Sequence, residues 1–181
     1  MIAIMYANHV SRLVALSDRD ISLTDGQRLF STGEAVRFVF VVREGSVQLL
    51  RRQTTGVSLI VQRVPCGGLV AEASVFAQRY HCEAIADGET LLAQISKQRV
   101  LELQLEEPEW LQQFAAHLAT EVQRARARAE MLSLRKVGER VDAWFSLYPG
   151  KMPQRGQWAG WANELGISPE ALYRGLSKRR A

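Results

Sequence analysis

The sequence predicts an α+β chain: an N-terminal roll of short strands, one long helix, and a C-terminal pair of helices joined by a tight turn. Three observations predict it. Between residues 21 and 98 apolar side chains alternate with others, and glycine turns cut the runs. From Pro108 to Leu134 there is no glycine and no further proline, and the strong helix formers Ala, Leu, Glu, Gln and Arg dominate. From Trp158 to Ser177 small, apolar and capping residues fall where two helices meeting at a turn need them.

In the roll region Val36, Phe38, Phe40 and Val42 alternate until Glu44-Gly45 turns the chain, and Val47, Leu49 and Arg51 keep the period. Thr54-Thr55-Gly56 is a second turn, followed by a third run from Val57 to Val64 through Leu59 and Val61. Pro65-Cys66-Gly67-Gly68 breaks it, and residues 81–95 add one or two strands ending at Leu91-Leu92-Ala93-Gln94-Ile95. Short strands at this spacing close into a sandwich, barrel or roll.

The long helix carries Leu111, Phe114, Leu118, Val122, Ala125, Ala129 and Leu132 at steps of three and four, with Arg124, Arg126, Arg128 and Glu130 off the stripe. It spans about 24 residues, or roughly 36 Å. A small roll shields less than that, and alanine admits a second helix at close range. This points to a two-stranded dimer seam built from Leu111, Phe114, Leu118, Val122, Ala125 and Ala129. Packing of the stripe on its own roll is the other reading. A further amphipathic helix runs through Leu134, Val137, Val141, Trp144, Phe145 and Tyr148, and Pro149-Gly150 ends it. The expected boundaries are 1–108 for the roll, 109–133 for the dimerisation helix and 134–181 for the helix-turn-helix domain.

Residues 158–177 carry the sharpest signal. Ala162 is small where the two helices cross, and Gly166 stands where the first stops and positive φ is needed. Ile167 plugs the corner, and Leu165, Leu172 and Leu176 fill the angle. Ser168 is an N-cap, Pro169 suits the first helical position, and Glu170 suits the positive helix end. Helix hairpins with a Gly corner exist without DNA. Here the basic part of the chain coincides with the motif, since residues 121–181 hold 12 Lys and Arg against 6 Asp and Glu.

Composition sets the remaining bounds. Of 181 residues 47% are hydrophobic and 23% charged, the balance of a soluble globular protein. No apolar run reaches a membrane span, and Met1–Val10 has neither a basic flank nor a cleavage signal, so the expectation is a cytoplasmic protein without a membrane partner. Two cysteines are too few for a disulfide scaffold. No nucleophile–base pair, phosphate loop or metal motif is present, which argues against an enzyme.

With Phe38–Leu49, Thr55-Gly56, Pro65-Cys66-Gly67 and the helix order in place, the chain resembles the cyclic-AMP receptor protein/FNR (Crp-Fnr) family of bacterial transcription regulators from Ile21 to Leu176. The resemblance implies a cyclic-nucleotide-binding-like roll that senses an effector, and a homodimer that binds duplex DNA and meets RNA polymerase. Family members that bind a cyclic nucleotide hold its ribose with Gly-Glu and its phosphate with Arg and a small hydroxyl residue. Here Ala71 stands at the Gly position with Glu72 retained, and Tyr80-His81-Cys82 fall at the phosphate position beside Arg79. Tyr80 supplies no charge to replace lost phosphate hydration, which argues against a cyclic nucleotide. Iron–sulfur ligation needs four cysteines. Heme stays open, with Cys66, His81, Cys82 and His117 as candidate axial ligands. So does a partial zinc or copper site from Cys66, His81 and Cys82. The plain alternative is a cysteine serving as a small buried hydrophobe.

The resemblance also assigns the DNA surface. The family's acidic and second arginine base-reading positions fall on Glu170 and Arg174, for cytosine N4 and for guanine O6 and N7, while Pro169 replaces the family's first Arg. Ser168 and Tyr173 are placed for the DNA backbone. The family continues into a β wing, and this sequence stops at Ala181, so most or all of the wing is expected to be lacking, with Lys178, Arg179 and Arg180 on phosphates instead. A module that senses an effector or binds protein without reading DNA is the alternative function.

Overall fold

The computed structural model describes residues 2–53, 56, 58–150 and 152–180, with the backbone alone for 2–8, 155 and 178–180. Thr54, Thr55 and Val57, read as part of a turn and the start of a strand, lie outside the described residues. Among the described residues, eight strands form the roll. One sheet runs β1 (Arg19–Leu23), β8 (Thr90–Ser96), β3 (Phe38–Glu44), β6 (Leu69–Val70); the other runs β2 (Arg28–Phe30), β7 (Glu83–Ala86), β4 (Ser46–Arg52), β5 (Ser58–Pro65). The pairs are antiparallel, with Phe40 opposite Gln94 and Val47 opposite Ala86.

Residues 38–42 are apolar without a break because β3 is covered on both faces. Phe40 and Val42 point into the space between the sheets with Val47, Leu49, Val64, Ala84 and Leu92. Val39 and Val41 point the other way with Ala93 and Ile95, against α1 (Ile2–Ala15), α2 (Lys97–Glu106) and the start of α3 (Pro108–Ser133). Leu13, Val100, Leu103, Trp110 and Phe114 supply that cover. Each such side chain, fully buried, contributes roughly 1.5–3 kcal/mol of transfer free energy.

Several of these elements exceed the reading from sequence. The N-terminal stretch, read only as mildly apolar, forms α1 from Ile2 onward, and the helix docks through Val10, Leu13 and Val14. The Trp110 indole N–H donates to the His9 carbonyl at 3.0 Å, and Arg12 pairs with Glu107. β6 follows directly on the glycine break, and α2 precedes the long helix, capped by the Ser96 hydroxyl.

The chain divides into two compact units, residues 1–118 and 119–181. α3 has 26 residues, about 39 Å at the standard rise. Its first turns belong to the first unit, and this corrects one expectation. Phe114, assigned to a dimer seam, is 1% exposed and stacks on Trp110 at 5.0 Å within the roll-side core. Leu118 packs partly against the same core. A large aromatic next to Trp110 completes the cover over β3 and β8, so for Phe114 packing on the protomer's own roll wins.

In the second unit α4 (Val137–Leu147), α5 (Trp158–Glu164) and α6 (Pro169–Arg180) enclose a core of Met131, Val141, Trp144, Trp158, Trp161, Ala162, Leu165 and Leu172.

Candidate functional site

The α5–turn–α6 segment is built as the residue types require. α5 closes with amide bonds from Gly166 to the Asn163 carbonyl at 3.1 Å and from Ile167 to the Ala162 carbonyl at 3.0 Å. Gly166 has φ +62°, and an added Cβ would lie 3.0 Å from Leu132 Cδ2 and 3.2 Å from Arg140 Nη1. The left-handed backbone therefore favours glycine, and a Cβ would make Leu132 and Arg140 give by a few tenths of an ångström. α6 starts at Pro169. The Ala171 amide donates to the Ser168 hydroxyl at 3.2 Å, a side-chain N-cap. Ala162, Leu165 and Leu172 are fully buried at the helix crossing. Gly175 lets α6 approach α4, since a Cβ there would lie 2.8 Å from Val137 Cγ1.

With Leu172 and Leu176 held to the core, Glu170, Tyr173 and Arg174 stand on the open side of α6. Tyr173 is 44% exposed, its ring 5.0 Å from that of Trp158. The Glu170 carboxyl is held below the usual carboxylate range, first by its own backbone amide, then by the Ser168 hydroxyl and by Arg174. Ser168 is thus occupied with capping and with Glu170. Lys178, Arg179 and Arg180 have side chains outside the described residues.

One residue that sequence reasoning missed is Arg140. It donates to the carbonyls of Leu134 (2.7 Å), Leu165 and Gly166 (each 2.9 Å). An arginine on the polar side of an amphipathic helix gives no such signal before the turn is brought beside it.

In the roll, the candidate effector residues lie in and around a 3-10 turn at Glu72–Ser74. Ala71 takes φ +71°, the left-handed region in which glycine is at ease, at the position where the family has Gly. Glu72 is buried and Ser74 Oγ meets His81 Nδ1 at 3.1 Å. Tyr80 is 4% exposed and belongs to the core. Its ring stacks on Phe30 at 3.8 Å, and its hydroxyl donates to the Phe38 carbonyl at 2.8 Å. Burial pushes its phenol above the ordinary 10.0.

Arg79, the nearest arginine in sequence, donates outward to the Gly33 carbonyl at 2.7 Å. The arginine whose charge is felt at Cys82 is Arg51. The β4–β7 register sets Leu50 opposite Glu83, so Arg51 neighbours Cys82. The Cys82 thiol is pushed up from 9.0 to about 11, first by burial and next by Glu72, with Arg51 opposing. Such a thiol keeps its proton at neutral pH. Cys66 is exposed, its thiol directed at the Arg43 carbonyl at 2.9 Å. His117, on α3, faces His9 instead, with ring centroids 5.1 Å apart. Among the described residues no three His, Cys, Asp or Glu side chains are grouped to hold a metal ion. Cys66, His81 and Cys82 therefore do not form one three-residue metal site.

Residues 20–107 match the family model described as the cyclic nucleotide-binding domain. The roll belongs to that domain family. The fold is similar to those of several solved transcription regulators. FixK2 from Bradyrhizobium japonicum is similar at a TM-score of 0.77 and 17% identity, over 88% of this chain and 83% of that one. The c-di-GMP-responsive global regulator CLP of Xanthomonas campestris gives 0.74 and 19%, over 96% and 91%. A CRP-family transcriptional regulator from Thermus thermophilus gives 0.68 and 17%, over 88% and 84%. Sequence comparison with curated proteins finds no match. Among the described residues no helix is long and apolar enough to cross a membrane.

Proposed function

We propose that this chain is a DNA-binding transcription regulator that acts as a homodimer under the control of an effector sensed in the roll. One observation carries the reading. Leu165, Gly166, Ser168 and Leu172 lock the two helices in helix-turn-helix register, and that register leaves Glu170 and Arg174, four residues apart, on the open face of α6. Arg174 reads a guanine and Glu170 a cytosine, while Tyr173 and the basic end of α6 meet phosphates and sugars.

The dimer seam runs along α3. Once Phe114 is taken up by the roll, Leu111, Ala115, Leu118, Val122, Ala125 and Ala129 follow each other at alternating steps of four and three, a heptad stripe. Leu111 is 40% and Val122 49% exposed in the single protomer. Sequence at this face narrows to alanine, which suits close helix pairing. RNA polymerase is the further partner this function implies. The effector differs from a cyclic nucleotide, because Tyr80 fills the phosphate position and is fastened to Phe30 and Phe38.

The test is titration of a selected operator and of a scrambled duplex at several salt concentrations. Arg174→Ala is expected to cost about 1–3 kcal/mol on the operator and to relax one base position. Lys178→Ala is expected to weaken both duplexes alike and to lower the salt slope by about one unit. Equal loss on both duplexes for Arg174→Ala makes that residue a phosphate clamp. The second reading, an effector-sensing module without specific DNA binding, is favoured by Pro169 in place of the family's Arg. It replaces the first if selection enriches no sequence.

A further inference from the structure

Arg140 touches three backbone carbonyls from separate parts of the C-terminal unit. Its Nε donates to Leu134, one residue past the end of α3, at 2.7 Å. Its Nη1 donates to Leu165 and Gly166 at the end of α5, each at 2.9 Å. Helix ends leave carbonyls without intrahelical partners, and a guanidinium suits them as a charged donor. The fork is rigid and planar, so setting Nε on one carbonyl also sets the direction of Nη1. A lysine would bring one ammonium point on a flexible stem.

The turn is shaped to receive this group. A Cβ on Gly166 would press on Arg140 Nη1 and on Leu132 from the last turn of α3. Leu132 and Arg140 therefore meet the turn at the same spot. Two residues on, Ser168 caps α6.

We infer that Arg140 is the positioning residue that sets the helix-turn-helix against the end of α3. A shift of the last turn of α3 then moves the Leu165–Gly166 turn with it, and so moves Ser168 and the start of α6. This rests on the function proposed above, in which α3 carries the seam and α6 the DNA contacts, and it names the side chain that joins them.

The test uses the full chain with Arg140→Lys and Arg140→Met, read by hydrogen exchange and by duplex titration. In Arg140→Lys the segments 131–136 and 163–168 are expected to exchange faster together, by about tenfold, with residues 38–52 unchanged. Operator affinity is expected to fall about tenfold while scrambled-duplex affinity changes less than about threefold, because general phosphate contacts do not need a fixed helix angle. Arg140→Met, which keeps the apolar stem, is expected to match or exceed these losses. Faster exchange in one segment alone, or in neither, overturns the inference. So does loss of native tryptophan emission in both variants, which would make Arg140 a fold-holding group. If the wild type prefers no duplex, the DNA reading falls, and the exchange result still decides the role of Arg140.

Discussion

Gly166→Ala should cost far more than an ordinary left-handed glycine replacement, and Gly150 provides the comparison. Both are in the same unit and both have positive φ, +62° and +74°. Around Gly150 nothing lies within 4 Å of an added Cβ. Gly150→Ala therefore meets only the left-handed backbone cost, roughly 1–2 kcal/mol, offset by about 0.4–1 kcal/mol from the stiffer unfolded chain. Gly166→Ala meets the same terms and a clash as well. Leu132 Cδ2 at 3.0 Å is the end of a side chain and has some freedom; Arg140 Nη1 at 3.2 Å is tied to two carbonyls, and the Nε of the same planar group to a third. Moving it weakens at least one hydrogen bond to a charged group, a loss of about 1.5–3 kcal/mol. The two variants should then differ by that amount, roughly 6–24 °C in melting temperature for a unit of this size. Tryptophan emission reports the transition, since Trp144, Trp158 and Trp161 all lie in this unit. Melting of the two variants within about 2 °C of each other would show that Arg140 yields freely, and the steric argument would be wrong.

Phe114→Ala should destabilise the roll-side core by about 3–5 kcal/mol and leave the dimer intact, whereas Val122→Glu should give a monomer by sedimentation; a wild-type monomer at tens of micromolar, on the order where marginal pairs form, would remove the seam. The Cys82 thiol has its folded pKa raised to about 11, so the stability it contributes is complete below pH 9 and is lost as the pH rises through 11. Melting temperature should fall across that window and fall less in Cys82→Ala, and maleimide should label exposed Cys66 well before buried Cys82 in the native protein. Calorimetry with cyclic AMP and cyclic GMP should detect no tight site; a micromolar Kd, about −8 kcal/mol, would refute the role given to Tyr80 and would direct attention to Arg51 as the phosphate partner.

The order of elements and the helix-turn-helix were legible from sequence because they rest on local rules. Gly166, Ser168, Pro169 and Glu170 each answer a demand of the backbone within a few residues of themselves, and the structure shows Gly166 left-handed and Ser168 as the cap. The alternation through Phe38, Phe40 and Val42 likewise marks a strand, since successive side chains point to opposite faces. Tertiary structure decided what local pattern leaves open. A helical stripe shows which residues share a face and not what covers it, so only the folded roll could show that Phe114 is buried against it. Sequence proximity put Arg79 beside Tyr80 and Cys82, but strand register brought Arg51 beside Cys82 from a different strand. Arg140 lies 25 residues from Leu165, and nothing in its neighbours foretells the bond. Charged side chains on a polar helix face find their partners only when packing has fixed which backbone carbonyls end up within reach.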